Sequence, residues 1–92
     1  MRCVISVLGK DRSGIVAAIS AVLAEKGANI DDISQTILDE IFSMTMLVRL
    51  NIEVADFNTV QEALAAVGEE LGVQVIIQRE DVFPVSYTHL TL

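Results

Sequence analysis

The stretch GKDRSGIVAAISAVLAEKGANIDDISQT, residues 9–36, decides how the chain is read. It opens with Gly9 and Gly14 on either side of Lys10-Asp11-Arg12-Ser13, and a helical run follows. That outline suggests a phosphate loop. Such a loop needs Gly-Lys-Ser/Thr after its gap, so that the lysine reaches the phosphates and the hydroxyl reaches magnesium. Here Gly14 is followed by Ile15 and Val16, so the residues that would carry the chemistry are absent. The dinucleotide pattern G-x-G-x-x-G is absent too.

What the stretch specifies is a helix held between two strands. Residues 2–8, RCVISVL, are rich in β-branched side chains and end at Gly9, which predicts a first strand. Ile15, Val16, Ile19, Val22 and Leu23 recur at spacings that put them on one stripe of a helix over 13–26. Gly27 stops it, with Lys26 in the last turn. Residues 28–39, ANIDDISQTILD, form a second strand whose alternation slips. In a regular strand Ile30 and Asp32 share one face while Ile33, Gln35 and Ile37 share the other. The slip predicts a bulge near Asp31-Asp32.

Outward from there, Asp39-Glu40 reads as a two-residue hairpin turn without the favoured glycine. A third strand follows over 41–54, with Phe42, Met44, Met46, Val48 and Leu50 on the buried face. Phe57, Val60, Leu64, Val67 and Leu71 mark a second helix over 56–71, with Asp56 or Asn58 as its cap and Gly72 as its stop. Residues 73–81 are a fourth strand. The order βαββαβ predicts an α+β, ferredoxin-like sandwich: a four-stranded antiparallel sheet with both helices on one face. Residues 1–82 make one domain. The tail, 83–92, has neither a turn signal nor a helical pattern. It is similar to translated cloning-adapter sequence, which implies an artefactual tail or a strand extension, and no role is assigned to His89.

Composition narrows the function. The chain has 92 residues, 52% of them hydrophobic, and a net charge of -7. So much apolar surface on so short a chain implies burial against a second copy. The negative charge opposes a nucleic-acid partner. No apolar run approaches the roughly 20 residues of a membrane span. The N-terminus lacks the length and cleavage site of a signal peptide, so a cytoplasmic location is expected. One cysteine, Cys3, and one histidine far from it allow neither a disulfide nor a zinc site. Cys3 is expected to be buried and inert, and Met44 and Met46 to be packing residues. Asp31, Asp32, Asp39 and Glu40 read as solvated acids, because adjacent carboxylates on a strand face opposite ways. No catalytic set, metal site or cofactor follows.

The opening loop remains a helix entry. Asp11 is placed to accept from the amides of Ser13 or Gly14, as a cap does. Gly14 leaves its backbone approachable. First-turn amides carry partial positive charge and suit a carboxylate as well as a phosphate.

The same stretch resembles the ACT domain, a small ligand-binding module of amino-acid metabolism. Asp11, Gly14, Ile15 and Val16 at the helix start carry the likeness, continued by Leu23, Ala24, Gly27 and Asn29-Ile30. The likeness is strongest to stand-alone, single-domain ACT proteins. The ACT pattern often has Pro where this chain has Ser13. The resemblance implies a homodimer or higher homo-oligomer that binds a small molecule such as an amino acid at the pair interface. It implies a ligand-binding set of Asp11, Arg12, Ser13, Gly14, Ile15, Asn29 and Ile30. The ligand carboxylate would meet helix-start amides, with Lys10 or Arg12 nearby. Its ammonium would meet the Asn29 oxygen, a backbone carbonyl, Asp11 or Asp31. A ligand-free dimerisation or protein-interaction module is the competing expectation. Other uses of such a fold fit less well. RNA binding wants exposed aromatics and a basic surface, and copper chaperones want Cys-x-x-Cys where this chain has Lys10-Asp11-Arg12-Ser13. Small phosphatases want an anion-gripping arginine loop and an asparagine, which Arg12 and Asn29 mimic only loosely.

Overall fold

A computed structural model describes residues 1–82. The chain folds as β1 (Arg2–Lys10), α1 (Ile15–Glu25), β2 (Asn29–Leu38), β3 (Ile41–Arg49), α2 (Phe57–Leu71) and β4 (Val73–Arg79). A short 3-10 turn at Glu80–Val82 follows. The expected tail, 83–92, lies outside the described residues. The sheet order is β2-β3-β1-β4, and every neighbouring pair is antiparallel. This is the ferredoxin-like sandwich that the element order predicts.

The helix-facing side of the sheet carries Cys3, Ile5 and Val7 of β1 and Phe42, Met44, Met46 and Val48 of β3, all buried. Ile15, Ile19 and Leu23 of α1 and Val60 and Leu64 of α2 close over them. Alternation with a period of two on the central strands, and spacings of three and four on the helices, make those two sets meet. The opposite side of the sheet has no layer over it among the described residues. Its rows include Ser6, Leu8, Ser43, Thr45 and Ile76, all exposed.

Three strand boundaries differ from expectation, the first being β4, which stops at Arg79 instead of 81 because Glu80–Val82 wind into the 3-10 turn. β1 runs on through Gly9 to Lys10, because β3 is long enough to pair both, with Phe42 and Ile41. β3 ends at Arg49 instead of continuing to 54. Beyond it only Leu50 keeps the ladder, exchanging hydrogen bonds with Met1 at the sheet's end. Asn51 then turns the chain: its carbonyl accepts from the amides of Val54 and Ala55, and its side chain from Glu53.

The bulge lies where the slip in alternation predicts it. Ile30 faces Val48 and Asp32 faces Leu47, so Asp31 is the extra residue. Ile30, Ile33, Gln35 and Ile37 thereby share the face of Val48, Met46, Met44 and Phe42. Yet α1 barely reaches β2. Ile33 stays 39% exposed and Ile37 56%. Among the described residues the edge of the sheet on this side has no neighbouring strand, and it combines free backbone groups with uncovered apolar side chains.

Candidate functional site

The seven predicted residues fall into two groups at opposite ends of the sheet. β2 runs parallel to β1, with β3 between them. Asn29 is therefore in rank with Arg49 and Arg2, while the Asp11 loop lies beyond Lys10 and Ile41. The nine residues of β1 span this gap, about 27 Å at roughly 3.4 Å per residue. One chain does not bring the two groups together.

At the loop end, α1 begins at Gly14 with φ 91°, and no side chain caps it. This corrects the expectation that Asp11 caps the helix. The Asp11 amide instead donates to the Glu40 carbonyl at 2.8 Å, which ties the loop to the β2–β3 hairpin. Gly14, three residues on, takes the cap position. Its left-handed backbone suits glycine, and a Cβ there would meet nothing within 4 Å. The space above the helix start is open. The amides of the first turn have no intrahelical acceptor; the first helical bond runs from Ala18 N to Gly14 O. Ser13 is exposed, and Ile15 is buried in the core. Arg12 donates from its guanidinium to the Leu71 carbonyl at 3.3 Å, at the C-terminal end of α2, where a cation is favoured. This end therefore presents backbone donors.

At the other end, Asn29 donates its side-chain NH2 to Asp31 Oδ1 at 2.8 Å. Arg49 Nε donates to both oxygens of Asp31, at 3.2 and 2.9 Å. The Arg49 guanidinium, helped by Asn29, holds the Asp31 carboxyl below the usual aspartate range. Asn29 and Arg49 line a shallow cleft with Gly27, Leu50 and Asn51. Ile30 points to the helix side and packs against the core. Asp31 appears in the sequence only as one of several acceptors, and Arg49 does not appear as a site residue at all. The slip between Ile30 and Ile33 was the signal for Asp31. Arg49 needed the strand register, which pairs it with Asn29.

Elsewhere the chemistry is spare. Cys3 is fully buried, and that burial pushes its thiol pKa up, which keeps it protonated and unreactive. Among the described residues no three His, Cys, Asp or Glu side chains are grouped to hold a metal. No described helix is long and apolar enough to cross a membrane.

Known proteins agree with this architecture. The ACT domain model matches residues 2–78. A UPF0237 protein of Methanocaldococcus jannaschii is 58% identical over 88 residues, 96% of each chain. The solved structure of an ACT domain protein from Streptococcus pneumoniae superposes with a TM-score of 0.79 at 46% identity, covering 92% of this chain and 96% of that one. The regulatory subunit of aspartate kinase from Thermus thermophilus superposes at 0.66 with 29% identity, over 84% of this chain and 50% of that one. ACT domains are typically small regulatory ligand-binding domains. With a family match over nearly the whole described fold and a relative of equal length at this identity, the chain belongs to the ACT domain family.

Proposed function

We propose that the chain is a cytoplasmic regulatory domain, without catalysis of its own, that binds an amino acid or similar small carboxylate between two copies of itself. The observation that carries this reading is the division of the site. One end of the sheet offers amide donors at the open start of α1, and the other offers Asn29. Antiparallel pairing of β2 with β2 of a second copy would set Asn29 of one chain beside the hairpin of the other. The Asp11 loop is tied to that hairpin through Glu40. The uncovered Ile33 and Ile37 support the same pairing, since they flank the free edge. A carboxylate at the amides and an ammonium at Asn29 would together select an α-amino acid.

The test is a thermal-shift screen of the full chain against the twenty amino acids and simple carboxylates, including formate. A ligand at 100 times its Kd adds roughly 2.7 kcal/mol, a rise of about ten degrees for a domain of this size. A rise with one chemical group of amino acids supports the reading. No rise with any compound, from a protein that sediments as a dimer, favours the second reading, a ligand-free interaction module. The apolar edge of β2 supports that reading as well, because it gains from pairing with or without a ligand.

A further inference from the structure

We propose that Asp31 is a positioning residue that fixes the side-chain amide of Asn29 with its carbonyl oxygen turned outward, so that the Asn29 end of the site offers a fixed acceptor to a ligand's ammonium. This rests on the ligand-binding reading above and adds the polarity of one half of the site.

The chemistry of the pair leaves one arrangement. An ionised carboxylate only accepts hydrogen bonds. The group of Asn29 that lies 2.8 Å from Asp31 Oδ1 is therefore its NH2. The amide is planar, so its oxygen points to the other side, away from Asp31. Arg49 holds the carboxylate in turn, with Nε at 3.2 and 2.9 Å from its two oxygens. Arg49 and Asp31 cancel in charge. Arg2, directly across the sheet from Arg49, is engaged with Glu80 at 3.4 Å. Asn29 thus presents its carbonyl oxygen as an outward acceptor, beside its own second amide proton and the terminal nitrogens of Arg49. An ammonium satisfies that oxygen, and a carboxylate brought against the same oxygen would meet lone pair against lone pair.

The bulge gives a second, independent observation. The ladder reads Asn29 with Arg49 and Ile30 with Val48 before Asp31, then Asp32 with Leu47 and Ile33 with Met46 after it. Without Asp31 the two halves would join as one regular ladder, with every pair and every face unchanged. Core patterning therefore does not require the extra residue. Its side chain is what it adds, and that side chain contacts Asn29 and Arg49. Bulges commonly re-aim a side chain in this way.

Two variants, Asp31→Ala and deletion of Asp31, test the proposal by nitrogen–proton correlation spectra and by ligand choice. In the wild-type protein the Asn29 side-chain NH2 should show one proton shifted downfield by the carboxylate. Both variants should move that pair to the position of a free amide and leave the core resonances in place. An Asn29 NH2 signal unchanged in Asp31→Ala overturns the proposal. If the deletion perturbs the core, Asp31→Ala alone decides. The second readout takes the amino acid giving the largest thermal shift and the carboxylic acid with the same side chain but no amino group. Wild-type protein should favour the amino acid, and Asp31→Ala should reduce that preference about tenfold; an undiminished preference overturns the proposal. Failure of every amino acid to bind would remove the ligand reading, while the Asn29 signal would still decide whether Asp31 sets the amide.

Discussion

The two halves of the sandwich, β1–α1–β2 and β3–α2–β4, have the same order of elements and finish differently. α2 closes tightly on its edge strand. Gly68 lies so near β4 that a Cβ would stand 2.8 Å from Val75 Cγ2 and 3.0 Å from the Val73 carbonyl. Val73 and Ile77 are buried beneath that helix. α1 leaves its own edge strand bare, with Ile33 and Ile37 exposed. The helix starts repeat the contrast. Asp56 caps α2 by accepting from the Thr59 amide at 2.8 Å, whereas α1 starts at an uncapped Gly14. One half completes its helix-to-strand packing and its helix cap within the chain. The other keeps first-turn donors and the apolar side chains of its edge strand available, and it is the half that carries the Asp11 loop and Asn29.

Substitutions should break this contrast in a graded way. The largest effect is expected in the closed half: Leu64→Ala, at a buried position of α2, should cost about 3 kcal/mol, read from denaturant unfolding. Gly68→Ala should follow, at roughly 1–2 kcal/mol, because the Val73 carbonyl cannot step aside as a side-chain tip could. Gly14→Ala should cost about 1 kcal/mol from its left-handed backbone alone, with the core undisturbed. If it costs as much as Leu64→Ala, the loop is packed more tightly than its open surroundings indicate.

Removing the α2 cap with Asp56→Ala should lower the Tm by a few degrees at neutral pH. Hydrogen bonds from Thr59 hold the Asp56 carboxyl below the ordinary aspartate range. A depressed folded pKa stabilises the fold fully above the unfolded value of about 3.9, and the contribution is lost as pH falls through the folded value. The Tm gap between wild type and Asp56→Ala should therefore stay constant down to about pH 5 and narrow below about pH 4. A constant gap at all pH values would remove the charged cap from the account. The smallest effect on the fold is expected in the open half: Ile37→Ser should change the stability of the single chain by less than about 0.5 kcal/mol. The same variant should weaken self-association measured by sedimentation, and unaltered association would shift the pairing surface away from the β2 edge.

The fold was legible because local signals agreed. The helix stripes, the alternation of β3 and the stops at Gly27 and Gly72 all appear where the residues place them, and both glycines adopt positive φ. The bulge was legible as well, since Ile30 and Ile33 cannot share a face of a regular strand. The helix start was not. Asp11 has the chemistry of a cap, but its amide is drawn into the hairpin by Glu40, a partner nearly thirty positions away in sequence. The end of β3 was missed for a related reason. Asn51, Ile52 and Val54 continue an acceptable alternation, and only the Asn51-centred turn shows that pairing has stopped. The candidate site was legible as residue types and not as a place. Spacing along the chain does not reveal that Asp11 and Asn29 stand at opposite ends of parallel strands, or that Arg49 lies across from Asn29.

In the proposed pair of chains, that separation of Asp11 from Asn29 has a consequence for dose. A pocket whose two walls come from opposite ends of two chains exists only in the paired fraction. Dilution below the pairing constant would empty it at fixed ligand. By the reciprocity of linkage, ligand would tighten pairing by the same factor by which pairing tightens ligand. A chain built so would respond to the product of two concentrations, the metabolite's and its own, and the cell could adjust its threshold by making more or less of the protein.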